Sequence, residues 1–194
     1  MRPSMMLLLL GAIGVAGCDR QSPTDGQANA ATAARAAAPL PTPLPAEAKI
    51  DRSHRGEPAP TLTITLPGGR RATLADFRGK PLLVNLWATW CAPCLAEMPT
   101  LDTLARRDAA TLKVLTVSQD LKGAGAVAPY FEREGFAAIE PWLDPEIGFS
   151  MAYAATLPMT ILYDAKGREM WRATGGMDWA GPRARTLIAE GAGT

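Results

Sequence analysis

Hydrophobic residues change their spacing several times along this chain, and each change predicts an element. Met5 to Ala16 is an apolar run broken only by Gly11 and Gly14, with Arg2 as the single charge before it. From Asp19 to about Ile50 no apolar period exists, and Ala, Pro, Gln and Thr dominate, with prolines at 39, 41, 43 and 45. Period two then appears in Thr61-Leu62-Thr63-Ile64-Thr65-Leu66, Pro67-Gly68-Gly69 reads as a turn, and Arg70 to Leu74 as the returning strand of a β-hairpin. Leu82 to Ala88 is nearly continuous in apolar residues, as expected of a central strand buried on both faces. Residues 92–107 place Leu95, Met98, Leu101 and Leu104 at helical spacing, and Lys113 to Val117 is the next core strand. Gly125 to Glu134 is predicted helical with Pro129 inside it, and Pro145 to Ala154 as a short amphipathic helix. Met159 to Tyr163 and Arg168 to Ala173 flank the turn Asp164-Ala165-Lys166-Gly167, and Pro182 to Glu190 closes the chain as a helix with proline in its first turn.

The two amino-terminal segments set the domain plan. A short positive start followed by an apolar stretch too brief to span a bilayer has the form of a bacterial export signal. The signal ends in Val15-Ala16-Gly17-Cys18, which is similar to the lipobox of bacterial lipoproteins, where the Cys becomes the lipid-bearing first residue. The expected organisation is a signal peptide at 1–17, a disordered Ala/Pro-rich tether at 18–50 and one folded domain at 51–194. The tether lacks the apolar surface needed to offset its ordering entropy, and its prolines favour an extended spacer. An ordinary secretory signal with Cys18 incidental is the alternative. Asp19 after Cys18 resembles the enteric signal for retention in the inner membrane, so the expected location is periplasm-facing, held to that membrane through Cys18.

Charge excludes one class of partner. Lys and Arg number 20 against 19 Asp and Glu, so no global field draws nucleic acid. Cysteine usage is more informative. Of three Cys, Cys18 is the lipid candidate, leaving Cys91 and Cys94 as a Cys-x-x-Cys pair directly after the apolar strand. The N–H groups of a first helical turn are unpaired and carry partial positive charge, so a cysteine there gains thiolate character. The expected chemistry is dithiol/disulfide exchange, with Cys91 at the helix start and its sulfur toward solvent as nucleophile. Cys94, one turn in and more shielded, resolves the mixed disulfide. Half of a zinc site is the other reading of the pair, but beyond it the domain offers His54 alone.

A β-α-β half followed by a β-β-α half is the element order of thioredoxin. From Asp51 onward the chain resembles the membrane-tethered thioredoxin-like reductases of the TlpA/ResA type, which also include the cytochrome c maturation thioredoxins. The carriers are Leu74-Ala75-Asp76-Phe77-Arg78-Gly79-Lys80-Pro81, Asn85 to Pro99 around Trp90-Cys91-Ala92-Pro93-Cys94, and Leu157-Pro158-Met159-Thr160. Thr116 to Asp120 and Trp142 to Pro145 are more similar to the TlpA branch. The resemblance implies an α/β thioredoxin-like fold, a central mixed β-sheet flanked by helices, with the β-hairpin at its amino-terminal end.

The resemblance also assigns roles. Glu97 matches the active-site Glu of the family, and a partly buried carboxylate beside two sulfurs would have a raised pKa and shuttle the proton of Cys94. Thioredoxin keeps an Asp on the central strand where this chain has Asn85, which cannot titrate. Pro158 matches the cis proline opposite the disulfide, the backbone of Leu157 would pair with an extended substrate segment, and Trp90 would form an apolar rim beside Cys91. Strongly oxidising relatives tend to carry His where Pro93 stands, so a reducing potential is implied, nearer about −270 mV than about −120 mV. The implied function is a lipid-anchored reductant with no cofactor beyond the redox-active Cys91/Cys94 pair and no metal. Its partners would be protein disulfides of apocytochrome c or of copper-site and oxidase assembly proteins, and a membrane thiol-reductant donor would recharge it. Two other classes fit less well. Copper metallochaperones of this fold use a longer Cys-x-x-x-Cys spacing and a downstream His, neither of which this chain has, and a thiol peroxidase would need Pro and Thr where Val84 and Ala88 stand. Met98, Met151, Met159 and Met177 are read as core residues rather than copper ligands.

Overall fold

The computed structural model describes residues 47–192, so the expected signal peptide, most of the tether and Cys18 lie outside the described residues. The chain runs β1 (Lys49–Asp51), β2 (Thr63–Thr65), β3 (Arg71–Thr73), a 3-10 turn (Leu74–Phe77), β4 (Leu82–Trp87), α1 (Ala92–Arg107), β5 (Lys113–Ser118), α2 (Ala124–Glu134), β6 (Pro141–Leu143), α3 (Gly148–Tyr153), β7 (Met159–Tyr163), β8 (Glu169–Thr174) and α4 (Pro182–Ala192). The strands form one mixed eight-stranded sheet in the order β1-β8-β7-β4-β5-β6-β2-β3. β4, β5 and β6 are parallel neighbours, and β7 joins β4 antiparallel with Asn85 opposite Thr160. Among the described residues no helix is long and apolar enough to cross a membrane.

The alternation of side chains along β4 builds two cores. Leu82, Val84 and Leu86 face one layer with Leu115, Val117, Ile161, Trp142 and Phe149. Leu83 and Trp87 face the other, with Leu101 and Leu104 of α1, Val127 and Tyr130 of α2, and Leu187 of α4. Asn85 lies between Leu83 and Trp87 in this alternation, so its amide enters the layer that α1 covers. Asp102 of α1, itself buried, accepts from the amides of Ala137, Ala138 and Ile139 at 3.0, 2.7 and 3.2 Å and fastens the approach to β6.

Three expectations need correction. The ordered part begins before residue 51: Ile50 pairs with Ala173 of β8, Ala48 is buried, and the Ala48 carbonyl accepts from Arg183 at 2.9 Å. The folded part therefore takes in Ala48–Asp51, because hydrogen bonding to a sheet edge satisfies Lys49–Asp51 without any long apolar pattern. α3 starts at Gly148 rather than Pro145: Ile147, left-handed at φ 49°, is its N-cap, and the Asp144 carboxylate accepts from the Phe149 amide of its first turn at 2.8 Å. The apolar pattern predicts no strand at β6; with only three residues, it is held by Thr116–Ser118 on one side and by Thr65 on the other.

Candidate active site

β4 delivers the chain to the redox pair. Cys91 is the N-cap of α1 with extended φ −95° and ψ 93°, and its carbonyl accepts from Leu95 at 3.0 Å. Pro93 occupies the first turn, where its missing N–H costs nothing because that donor has no helical partner. The loop before Cys91 is tied down by Asp120, just after β5. Its carboxylate accepts from the Thr89 amide at 2.9 Å, the Thr89 hydroxyl at 2.8 Å and the Ser118 hydroxyl at 2.8 Å.

Cys91 and Cys94 are joined in a disulfide, with 5.2 Å between their Cα atoms. Cys94 is fully buried and Cys91 is 6% exposed. The order of accessibility matches the sequence reading, but a sulfur open to solvent does not. Cys91 sits in the cluster of Trp87, Cys94 and Met98, against which Leu157 packs. Attack on it or by it is confined to the one side left uncovered.

Glu97 is fully buried on α1, one turn beyond Cys94. Its Oε1 accepts from the Asn85 amide at 2.7 Å, and its Oε2 from the Met177 amide and the Trp179 indole N–H, each at 3.0 Å. The Asn85 amide also donates to the Thr160 hydroxyl at 2.9 Å. Burial pushes the Glu97 carboxyl up to about 7, against the three donors, which favour the anion. A carboxyl with that affinity near two sulfurs can take and return a proton around neutral pH.

Next to the pair in sequence, Trp90 lines an apolar groove of about 690 Å³ with Leu121, Ile147, Ala155 and Leu157, and Gln119, Ser150 and Thr156 are its polar members. Trp90 and Leu121 are 70% and 73% exposed. The Leu157–Pro158 peptide is cis, and among the described residues the backbone N–H and C=O of Leu157 have no hydrogen-bond partner. Trp90 and Leu157 line this groove, Pro93 stays in the first turn of α1, and Pro158 is buried, its carbonyl accepting from Gly175 at 2.9 Å.

His54 faces outward against Glu57 at 3.1 Å, away from the disulfide's cluster. Met98, Met159 and Met177 are core residues, whereas Met151 is 74% exposed and leaves that group: it lies on the outer face of α3. Sequence reasoning missed Asn85 as a partner of Glu97, and also Met177, Trp179, Asp120, Leu121 and Ile147. Only Asn85 carried a readable signal, since a polar residue amid Leu83 and Trp87 on a central strand demands a partner across the layer.

The chain is 49% identical over 53 residues to the thiol:disulfide interchange protein DsbE of Pseudomonas fluorescens biotype C, which is 27% of this chain and 30% of that protein. It is 39% identical over 57 residues to the thiol-disulfide oxidoreductase ResA of Bacillus cereus, 29% of this chain and 33% of that protein. The matched part is thus about a third of the length of these curated relatives. Among solved structures, the exposed lipoprotein thioredoxin Etrx1 of Streptococcus pneumoniae superposes with a TM-score of 0.58 at 23% identity, over 66% of this chain and 98% of that one, which shows the thioredoxin-like fold. The Redoxin family model matches residues 54–188, a span that takes in the disulfide, Glu97, the groove and Trp179, and the chain belongs to the Redoxin family.

Proposed function

We propose that this protein is a thiol–disulfide oxidoreductase of the ResA/DsbE kind that works mainly as a reductant of protein disulfides. The observation that carries the reading is the Cys91–Cys94 disulfide at the start of α1, with Glu97 buried one turn further along the helix and Trp90, the residue before Cys91, lining an apolar groove. In the reduced protein the Cys91 thiolate attacks one sulfur of a substrate disulfide, and the other substrate sulfur leaves as a thiolate and takes a proton from water. Glu97 accepts the proton of Cys94, whose thiolate then attacks the Cys91 sulfur. The second substrate thiolate is released, and the two electrons of the dithiol have passed to the substrate. An extended substrate segment pairs with the Leu157 backbone and lays an apolar side chain in the groove.

Apocytochrome c or copper-site assembly proteins, a membrane thiol-reductant donor, and a periplasm-facing anchor on the inner membrane through lipidated Cys18 complete the proposal. Their support is the resemblance and the lipobox-like Val15-Ala16-Gly17-Cys18. The decisive test is turnover. With dithiothreitol as electron source, the purified protein should reduce insulin disulfides, and Cys91→Ser should lose at least about a hundredfold in rate, since the thiolate is the nucleophile. Retained turnover in that variant would remove Cys91 from the role. A Cys94→Ser variant expressed in the native cell should accumulate mixed disulfides, and their mass-spectrometric identification names the substrate.

A further inference from the structure

We propose that Trp179 is a positioning residue for the redox centre: its indole N–H, with the Met177 amide, holds the Glu97 carboxylate against the helix face that carries Cys94. Both donors come from the loop between β8 and α4, which is laced to α1 at a second point, because the Trp179 amide donates to the Thr100 hydroxyl at 3.1 Å and that hydroxyl donates to the Glu97 carbonyl at 2.7 Å. Trp179 is fully buried and stacks on Trp171, with ring centroids 6.4 Å apart and planes within 10°. Trp171 is fixed in turn by its own indole N–H, donating to the Leu187 carbonyl at 3.0 Å. A ring held by its stack on Trp171 and by the backbone bond to Thr100 does not follow the carboxylate if it swings, so it defines where Oε2 must be.

The surroundings of Glu97 leave this task to neutral donors. β4 contributes Asn85, β7 contributes Thr160, and the β8–α4 loop contributes Met177 and Trp179. Asp178 between them is exposed and its carboxylate accepts from the Ala180 amide at 3.0 Å. On the helix itself, Cys91 and Cys94 are titratable once reduced, the Asp102 carboxylate is taken up by the Ala137, Ala138 and Ile139 amides, and Arg106 and Arg107 lie in the last turn. Removing one donor to an anion that water cannot reach makes the protonated form easier to hold.

The inference rests on the reading of Glu97 as the proton partner of the thiols, and the experiment separates the two. Trp179→Phe keeps a ring for the stack and deletes the N–H. In the full-length oxidised protein, where neither cysteine titrates, the Glu97 carboxyl carbon is followed by NMR against pH. Its proton affinity should rise by about threefold or more in Trp179→Phe. Trp142→Phe, which trims a buried ring in the other core without touching Glu97 or Trp179, should lower stability and leave the titration in place. Coincident Glu97 titrations in wild type and Trp179→Phe would overturn the proposal. A shifted titration with an unchanged pH profile of Cys91 alkylation in the reduced protein upholds the positioning role and removes Glu97 as proton partner. If Trp179→Phe does not fold, the wild-type Trp179 indole proton decides: it should move with the same midpoint as Glu97, and a flat response across that range overturns the proposal.

Discussion

Burial withdraws the Glu97 carboxylate from water and penalises its charge, while Asn85, Met177 and Trp179 donate to it and favour that charge. Burial wins. The folded group binds its proton more tightly than the unfolded one, from 4.5 up to about 7, so folding takes up a proton in between. Stability attributable to this residue is therefore full below about 4.5 and declines as pH rises through about 7, by on the order of 3 kcal/mol. Glu97→Gln removes the titration. Its carbonyl can accept from Met177 and Trp179, while its amide faces Asn85, whose Oδ1 has no partner among the described residues and can turn to receive it. Urea unfolding of the variant should give a stability that no longer falls across that range, with folding retained. Cys91 alkylation in the reduced variant should shift to lower pH, because a nearby negative charge opposes thiolate formation. A stability profile that keeps the wild-type slope would assign the proton uptake to another group. The inward face of Glu97 was legible from its spacing to Cys94, whereas its donor Trp179 stands 82 positions away and no local pattern connects them.

At the level of elements, legibility followed the strength of the apolar pattern. The helix from Ala92 to Arg107 and the strand from Met159 to Tyr163 were read with the bounds they have, because each presents a full buried face to the sheet or the helices. Pro99 inside α1 did not break it: the site is on the outer, exposed side, and Leu95 alone loses an amide partner. β1 and β6 escaped because three residues carry no period and their pairing comes from β8 and β5, distant in sequence. The loop from Ala88 to Cys91 belongs to the same category, since Asp120 shapes it from 31 residues away. Asp120 is buried and accepts three hydrogen bonds from Thr89 and Ser118. Asp120→Asn replaces one acceptor oxygen with a donor that meets donors, so unfolding should cost about 1–3 kcal/mol less. The loop then loses its register on β5, and the disulfide-exchange rate should fall with it. An unchanged denaturation midpoint would show that Thr89 and Ser118 find water in its place.

Across the whole molecule, the sheet puts the redox pair at the end of its central parallel strand and the groove beside it, between α3 and the Leu157 turn. β1 forms one edge of the sheet, where it covers β8. If Cys18 bears lipid, Cys18→Ala should move the protein from the membrane to the soluble fraction or stop its processing. Membrane retention with an intact amino terminus would make the first segment a signal anchor. Lys49, Ile50 and Asp51 pair with Thr174, Ala173 and Arg172, Ala48 is buried, and Arg183 donates to the Ala48 carbonyl. A chain starting at Arg52 keeps the disulfide, Glu97 and the groove but bares the edge of β8, whose residues Trp171 and Ala173 belong to the core that holds Trp179. Relative to a chain starting at Glu47, it should lose on the order of 1–3 kcal/mol in urea unfolding, the range of three cross-strand pairs. It should also self-associate through the uncovered strand, because an unpaired edge is a template for another chain. Equal stability and a monomeric state for both fragments would mean that β1 is an ornament of the sheet and that the domain begins, as the apolar pattern alone implies, at residue 51.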